Sequence, residues 1–320
     1  MKYSTTFTFV KSLIFSLLLT LCVAAYAKDI APQERVQLAD PFILLHDGTY
    51  YAYGTHNRNG IEFHTSTNLK EWKYGGLALH KNDSYGEKWF WAPEVYHING
   101  KFYMYYTAEQ RICAAIADSP TGPFKQVKKA PMIPGKHIID NTLFIDDDGT
   151  PYLLYVVINH GFSIYVAELE KDMITIKPNT ASFCIRPKQR WEKMEGKVNE
   201  GPSIIKHKGI YYLLYSGNGY HSQKYGIGCA TATSIRGPWV KSKDNPILQL
   251  PGDLAGTGHG APFYDKKGHL HYVFHAHYSH DKIHPRCMYI TRAGFKKVNG
   301  KEQFVISDRY RTPQRTKKEQ

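Results

Sequence analysis

Asn199-Glu200-Gly201-Pro202-Ser203-Ile204-Ile205 opens a structural unit that recurs along the chain. An acidic residue stands near its start, an apolar run follows, and Gly209 leads into a second, tyrosine-rich stretch at residues 210–216. Apolar segments separated by a turn glycine are typical of antiparallel β-strands. The stretch therefore predicts a β-hairpin with a carboxylate at the head of its first strand.

Four further copies of this unit are spaced roughly 45 to 60 residues apart along the sequence. Their heads are Asp40, Glu94, Asp140 and His259, and their turn glycines are Gly48, Gly100, Gly149 and Gly268. A third strand is predicted in every copy, at residues 60–64, 112–117, 162–167, 226–231 and 286–290, and a fourth often follows. Five repeats of four antiparallel strands predict an all-β, five-bladed β-propeller. A β-sandwich is the alternative, but it does not account for fivefold repetition.

The heads of the five first strands would meet at one mouth of the central channel, because the first strand of each propeller blade lies nearest the axis. Carboxylates held close together push one pKa upward, so that one group is protonated and another ionised at neutral pH. Glycoside hydrolysis needs such a pair, one to protonate the leaving oxygen and one to activate water. A single acid at a strand start could equally be a turn residue facing water. We expect a shared site because the sequence pattern places the acid at the same position of the repeat each time.

Five motifs in order resemble those of glycoside hydrolase family 43. They are Ala39-Asp40-Pro41, Trp91-Ala92-Pro93-Glu94-Val95, Ile139-Asp140 with Phe144-Ile145-Asp146-Asp147-Asp148-Gly149, Glu200-Gly201-Pro202 and Gly256-Thr257-Gly258-His259-Gly260. The resemblance implies a five-bladed propeller that acts on arabinose- and xylose-containing polysaccharides with inversion of the anomeric centre. It also implies Asp40 as general base, Glu200 as general acid and Asp140 as the group that orients the acid and tunes its pKa. Asn141 departs from the family pattern, which usually has proline there.

Other residues are predicted to contact substrate or a metal. Trp91 resembles the sugar-platform tryptophan of the family, and Phe42, Glu94 and Arg286 are further candidates for substrate binding; core packing or a surface position is the alternative for each. The resemblance also places His259 near a calcium ion in the channel. No cofactor is expected to be required, and calcium would be structural.

The chain begins with a segment typical of secretory signal peptides, residues 1–27, which has two lysines, an apolar stretch and the small-x-small site Ala25-Tyr26-Ala27. We therefore predict a secreted or periplasmic protein, cleaved after Ala27, whose residues 28–320 form a single glycosidase domain with a short basic tail at residues 309–318. No membrane span is expected beyond the signal peptide.

The formal charge is +13 over 320 residues, and loss of the signal peptide with its two lysines leaves +11. The basic residues are scattered, apart from the tail, so we expect no nucleic-acid partner. The predicted partner is an oligo- or polysaccharide. Four cysteines remain outside the signal peptide, namely Cys113, Cys184, Cys229 and Cys287, and their disulfide state is left open.

The favoured activity is α-L-arabinofuranosidase, because the chain has no room for the additional C-terminal β-sandwich that many xylosidases of the family carry. β-Xylosidase, endo-arabinanase and exo-β-galactosidase are the alternatives within the family. Two non-enzymatic functions are the remaining alternatives: a sugar-binding propeller that does not turn over substrate, and a basic adhesin for acidic polymers.

Overall fold

Five antiparallel β-sheets stand around a central axis and form a five-bladed β-propeller. The structure is a computed structural model and describes residues 31–135, 137–298 and 300–316. The predicted fold class is confirmed. The predicted signal peptide lies outside the described residues. Within them, no helix is both long and apolar enough to cross a bilayer.

The strands given below for each blade come from one contiguous stretch of chain and run in order from the axis outward. Blade I contains β1 (Ala39–His46), β2 (Thr49–Thr55), β3 (Gly60–Ser66) and β4 (Glu71–His80). Blade II contains β5 (Trp91–Ile98), β6 (Lys101–Ala108) and β7 (Arg111–Ala117). Blade III contains β8 (Ile138–Ile145), β9 (Pro151–Ile158), β10 (Phe162–Glu168) and β11 (Ser182–Ile185). Blade IV contains β12 (Asn199–His207), β13 (Ile210–Gly217), β14 (Gly226–Ala232) and β15 (Val240–Lys241). Blade V contains β16 (Gly258–Tyr264), β17 (Leu270–Ala276), β18 (Cys287–Val298) and β19 (Lys301–Arg311).

Three short 3-10 helices, Pro32–Glu34, Lys81–Asp83 and Arg190–Lys193, connect or precede the strands. Blade II has three strands among the described residues, and the isolated bridge between Ile116 and Lys125 stands where a fourth would begin. The predicted third strands all exist.

The core consists of five separate clusters of buried side chains, one at each interface between neighbouring blades. A middle strand is therefore covered on both faces, and every residue of β17 is buried. This explains why such strands are continuously apolar and aromatic instead of alternating with polar residues. The four cysteines are buried free thiols within this core.

Each first strand carries a β-bulge near its start, where its register against the second strand shifts. The residue at the bulge has a positive φ in all five blades: 48° at Asp40, 45° at Ala92, 48° at Asp140, 53° at Gly201 and 40° at His259. Bulges bend a strand and re-aim its side chains. The equivalent positions are thus Ala92 and Gly201 in blades II and IV, and the reading that placed an acid at the same point of every repeat is wrong.

The ring closes between blades I and V through both ends of the described chain. The strand β20 (Gln314–Arg315) pairs in parallel with β4 and adds a fifth strand to blade I. The predicted basic tail over residues 309–318 is therefore not a free end in its first part, since residues 309–311 belong to β19 and β20 follows.

Candidate active site

A cavity of about 810 Å³ lies at the mouth of the channel where the first strands begin. Four of the five residues predicted at the heads of the first strands line it together: Asp40, Asp140, Glu200 and His259. They come from β1, β8, β12 and β16, four different blades, and three of them, Asp40, Asp140 and His259, are the bulge residues of their strands. The three carboxyl groups are almost fully buried, with Asp40 7%, Asp140 4% and Glu200 8% exposed. A site that holds three buried carboxyl groups must control where their protons reside.

Asp40 is held in its ionised form by basic neighbours. Arg286 donates from Nη1 to Oδ1 of Asp40 at 2.8 Å and from Nη2 to Oδ2 at 3.3 Å. Nδ1 of His275 lies 3.2 Å from Oδ1 and accepts the backbone N–H of Asp40 at 3.1 Å. Burial alone raises the pKa of Asp40, but Arg286, His259 and His275 outweigh it and lower the pKa well below its usual value. Asp40 is a carboxylate across the neutral range.

Glu200 has the opposite character. Burial raises its pKa to about 8, and the nearby charge of Asp140 adds to the effect. Its Oε1 accepts one hydrogen bond, at 2.8 Å, from the buried hydroxyl of Tyr225. Glu200 is therefore mostly protonated at neutral pH and able to donate a proton.

Asp140 connects these two groups. Its Oδ2 accepts the backbone N–H of Gly201 at 3.0 Å, which fixes the start of β12 directly beside Glu200. Burial raises the pKa of Asp140, and Asp40 raises it further, while His259 and the Gly201 hydrogen bond lower it. Asp140 thus holds the backbone beside Glu200, and its charge contributes to the raised pKa of Glu200. Asn141 stands where the family usually has proline, yet the bulge at Asp140 is present. The φ of Asp140 is the same as the φ of Asp40.

His259 lies between the two aspartates. Its Nδ1 is 3.4 Å from Oδ1 of Asp40 and 3.8 Å from Oδ2 of Asp140. In the described residues, no group of three or more His, Cys, Asp or Glu side chains is arranged to hold a metal ion. Calcium takes six to eight oxygen ligands, and these side chains do not supply such a set. A calcium ion near His259 therefore remains a prediction from the family resemblance.

Two of the four predicted substrate contacts line the cavity and two do not. Trp91 and Arg286 are part of its wall. Phe42 lies instead in a separate cavity at the other end of the first strands, and its ring packs 5.3 Å from that of Tyr96. Glu94 also lies outside the active-site cavity and contacts the hydroxyl of Tyr96. Both follow the bulge residue by two positions and neither lines the active-site cavity, so their assignment to substrate binding is corrected.

Sequence reasoning missed several groups that complete the site. His275 and Tyr225 contact Asp40 and Glu200, and Phe162 and Tyr220 add aromatic walls to the cavity. One signal could have revealed His275. It stands near the end of the second strand of blade V, as Thr55 does in blade I, and such residues accept the backbone N–H of the bulge residue in the next blade.

A second cavity of about 570 Å³ adjoins the first. The two share Phe162, Glu200 and Tyr220 in their walls. Glu200 therefore stands where the two spaces meet.

The family comparison agrees with this geometry. The model of glycosyl hydrolases family 43 matches residues 32–297, and the chain belongs to this family. It is thus a glycosidase that hydrolyses O-glycosyl bonds, and inversion at the anomeric centre is general to the family.

Several solved and characterised proteins are similar to this chain. A crystal structure titled endo-1,4-β-xylanase from Bacteroides thetaiotaomicron VPI-5482 is 44% identical, with a TM-score of 0.84 over 88% of this chain and 98% of that one. A thermostable family-43 glycoside hydrolase is 38% identical, with a TM-score of 0.79 over 87% and 95%. A β-D-galactofuranosidase of Aspergillus niger is 29% identical over 76% of this chain and 75% of its own length.

Proposed function

We propose that Asp40 is the general base, Glu200 the general acid and Asp140 the residue that positions Glu200 and tunes its pKa. The observation that carries this assignment is the contrast between two buried carboxyl groups in one cavity. Arg286 pairs with Asp40, whose pKa is lowered, whereas Glu200 accepts a hydrogen bond from the neutral hydroxyl of Tyr225 and its pKa is raised to about 8. Inverting glycosidases require this division.

The reaction follows from these roles. Asp40 takes a proton from a water molecule, whose oxygen attacks the anomeric carbon from the face opposite the leaving group. The bond from that carbon to the leaving oxygen breaks, and Glu200 gives its proton to that oxygen. The products are a sugar of inverted configuration and a free hydroxyl on the leaving group. Exchange of protons with solvent returns Asp40 to the carboxylate and Glu200 to the acid.

The proposed substrate is a glycan bearing terminal α-L-arabinofuranose, and the protein is proposed to be exported to reach it. Similarity to an α-L-arabinofuranosidase of Humicola insolens, 27% identical over 83% of this chain and 56% of that protein, supports this choice. Trp91, Phe162 and Tyr220 offer aromatic surface to the C–H faces of a sugar. Extracellular arabinanases of Bacillus subtilis are also similar, one of them 26% identical over 69% of this chain and 73% of its own length.

Xylose-containing glycans are the second candidate. The observation in favour is the 44% identity to the structure titled endo-1,4-β-xylanase. Hydrolysis of xylan or β-xylosides by the same three residues would need no change in their roles.

The deciding experiment is a rate comparison on aryl α-L-arabinofuranoside, β-D-xyloside and β-D-galactoside, together with arabinan, xylan and arabinogalactan. We expect the highest kcat/KM on the arabinofuranoside. Proton NMR during turnover should show the inverted anomer first. A preference for the β-xyloside would establish the second candidate, and binding of these sugars without hydrolysis would reject the enzymatic proposal.

A further inference from the structure

Blade I contains a further polar cavity, separate from the two described above. Its volume is about 790 Å³, nearly that of the active-site cavity. Glu62 and His64 of β3, Trp72 and Tyr74 of β4, and Arg315 of β20 form its walls. Nothing in the proposed mechanism uses these side chains. The cavity is distinct from the active site, although one residue, His56, lines both.

The cavity contains buried polar groups whose hydrogen-bonding capacity is not filled. Glu62 and His64 are each 3% exposed and Trp72 is fully buried. Nδ1 of His64 and Nε1 of Trp72 have no hydrogen-bond partner among the described residues. Burying polar atoms without partners is costly, and such atoms in native proteins call for a water or a ligand.

The charges around the cavity are mixed. The guanidinium of Arg315 and the imidazole of His56 act on the buried carboxyl of Glu62, whose Oε2 also accepts a hydrogen bond from Asn57 at 3.3 Å. Burial raises the pKa of Glu62, and these neighbours oppose the rise. A free anion would be repelled by Glu62, and a free cation would be repelled by Arg315. A neutral ligand with several hydroxyl groups is compatible with both Glu62 and Arg315, because a hydroxyl can donate to the carboxylate and accept from the guanidinium.

An aromatic surface completes the set. Tyr74 is 44% exposed, and its ring packs edge-on against His64 with centroids 5.4 Å apart. An exposed aromatic ring beside charged and amide groups offers a sugar both an apolar face and hydrogen-bonding partners. The ligand class that fits this combination is a sugar residue.

We propose that this cavity is a second sugar-binding site, which holds a distal residue of the glycan whose terminal unit occupies the active site. The chain of sugars would pass over His56, the wall common to both cavities. The inference rests on the proposed function in taking a glycan as the ligand. It assigns to blade I a role in selecting polymeric or oligomeric substrate over a single glycoside.

Binding is tested in the full chain carrying Glu200→Gln, titrated with arabinohexaose and xylohexaose by isothermal calorimetry. Arg315→Ala added to this protein should weaken binding of the hexasaccharide about tenfold, the size of one charge-assisted hydrogen bond. Arg311→Ala, which removes an exposed arginine of β19 outside the cavity, is the matched control and should leave affinity unchanged. Glu62→Gln is a second variant of nearly the same shape, and melting temperatures identify any variant that does not fold.

Turnover in the otherwise native chain separates this site from the active site. Arg315→Ala should lower kcat/KM on the hexasaccharide about tenfold while kcat/KM on the aryl glycoside stays at the level of the Arg311→Ala control. Failure of the proposed function would appear as absent aryl glycoside hydrolysis in the native chain. Equal hexasaccharide affinity and turnover in the Arg315→Ala and Arg311→Ala proteins would overturn the second site. Inorganic phosphate that binds in an Arg315-dependent manner, with no effect of the variant on sugar, would overturn it in favour of an anion site.

Discussion

Asp40 and Glu200 lie in one cavity, and their neighbours decide which of them is ionised. Asp40 has Arg286 and His275 in direct contact, whereas Glu200 has a single neutral hydrogen-bond donor, Tyr225. Burial disfavours both carboxylates, and it is overcome at Asp40, which Arg286 contacts directly, but not at Glu200, on which Arg286 acts only as a weaker, more distant charge. The distribution of cations thus favours a carboxylate at Asp40 and a carboxylic acid at Glu200, which is the pair that the proposed roles require.

The two roles predict different dependence on the leaving group. Asp40→Asn should lower kcat about 10²–10⁴-fold on every substrate, because water is no longer activated. Glu200→Gln should cost as much on natural glycosides but less than about tenfold on aryl glycosides with good leaving groups, which need little protonation. Steady-state rates on aryl glycosides of graded leaving-group pKa measure this difference. The reverse pattern, with Asp40→Asn sensitive to the leaving group and Glu200→Gln insensitive, would exchange the two roles.

A second prediction concerns the alkaline limb of the pH profile. In the proposed role of general acid, Glu200 must be protonated, and its pKa is raised to about 8, so kcat/KM should fall as the pH rises through about 8. Asp140 is the charged neighbour that contributes most to this elevation. Asp140→Asn removes the repulsion, so Glu200 ionises more easily and the alkaline limb should move to lower pH. An alkaline limb that stays in place in Asp140→Asn would show that Asp140 acts on position alone.

At the scale of elements, the site depends on the bulge that begins each first strand. The bulge residue donates its backbone N–H to a side chain of the preceding blade in every case. The pairs are Asp40 to His275, Ala92 to Thr55, Asp140 to Thr107, Gly201 to Asp140 and His259 to Ser216. These bonds link neighbouring blades around the axis and fix where the side chains at the channel mouth point. The geometry of the site is therefore a property of the five hairpins together.

Gly201 tests this dependence. It has a φ of +53°, and a Cβ added there would lie 2.7 Å from Cγ of the His259 ring. Gly201→Ala should displace His259 from Asp40 and Asp140 and lower kcat about tenfold or more. Its positive φ should also cost roughly 1–2 kcal/mol of stability.

Gly209→Ala is the matched control for this substitution. Gly209 has a φ of +76° in the hairpin turn of the same blade, and an added Cβ would meet nothing within 4 Å. The control should show the same loss of melting temperature with unchanged kcat. Equal kcat in the two variants would mean that the position of His259 does not matter to the reaction.

The hairpins could be predicted from the sequence, but the register between their strands could not. Apolar runs and turn glycines predicted the strands, and the positions of Asp40 and Asp140 followed from them. The bulge changes the alignment by one or two residues, so Glu94 was wrongly placed in the ring and Glu200 was placed correctly without being equivalent to Asp40. A one-residue change in register reverses the face to which a side chain points. The partner of a contact between blades, such as Asp40 for His275, is not given by the residues beside either one in the sequence; only the recurring position near the end of a second strand points to it.

At the scale of the whole molecule, the ring must be closed where blade I meets blade V. Blade I comes from the N-terminal part of the chain and blade V from the C-terminal part. Their interface is joined by backbone hydrogen bonds from Met288 of β18 to Val36 at 2.9 Å and from Val36 to Pro313 at 3.2 Å. A core cluster that includes Trp72 and Phe263 packs between the two blades. The N-terminal segment thus lies between blade V and the chain that leads into β20.

The segment after β19 completes the closure and is open to a direct test. Gln314 donates its N–H to Lys70 at 2.7 Å and Thr316 donates to Trp72 at 2.9 Å, so the segment is bonded to β4 at the outer edge of blade I. Truncation after Arg311 removes these bonds and uncovers Trp72. At about 1 kcal/mol for each hydrogen bond, the loss should be roughly 2–4 kcal/mol, or on the order of 5–15 °C in melting temperature for a chain of this size.

Truncation after Thr316, which retains every described contact of the closure, is the control and should leave the melting temperature near that of the full chain. Calorimetric scans of the three proteins give the comparison. The residues around Asp40 and Glu200 lie on the axis, away from the outer edge of blade I, so aryl glycoside hydrolysis by the Arg311 truncation should persist at temperatures well below its transition. If the protein truncated after Arg311 has the same melting temperature as the full chain, the core cluster alone holds the interface between blades I and V. The parallel strand then contributes nothing to closure.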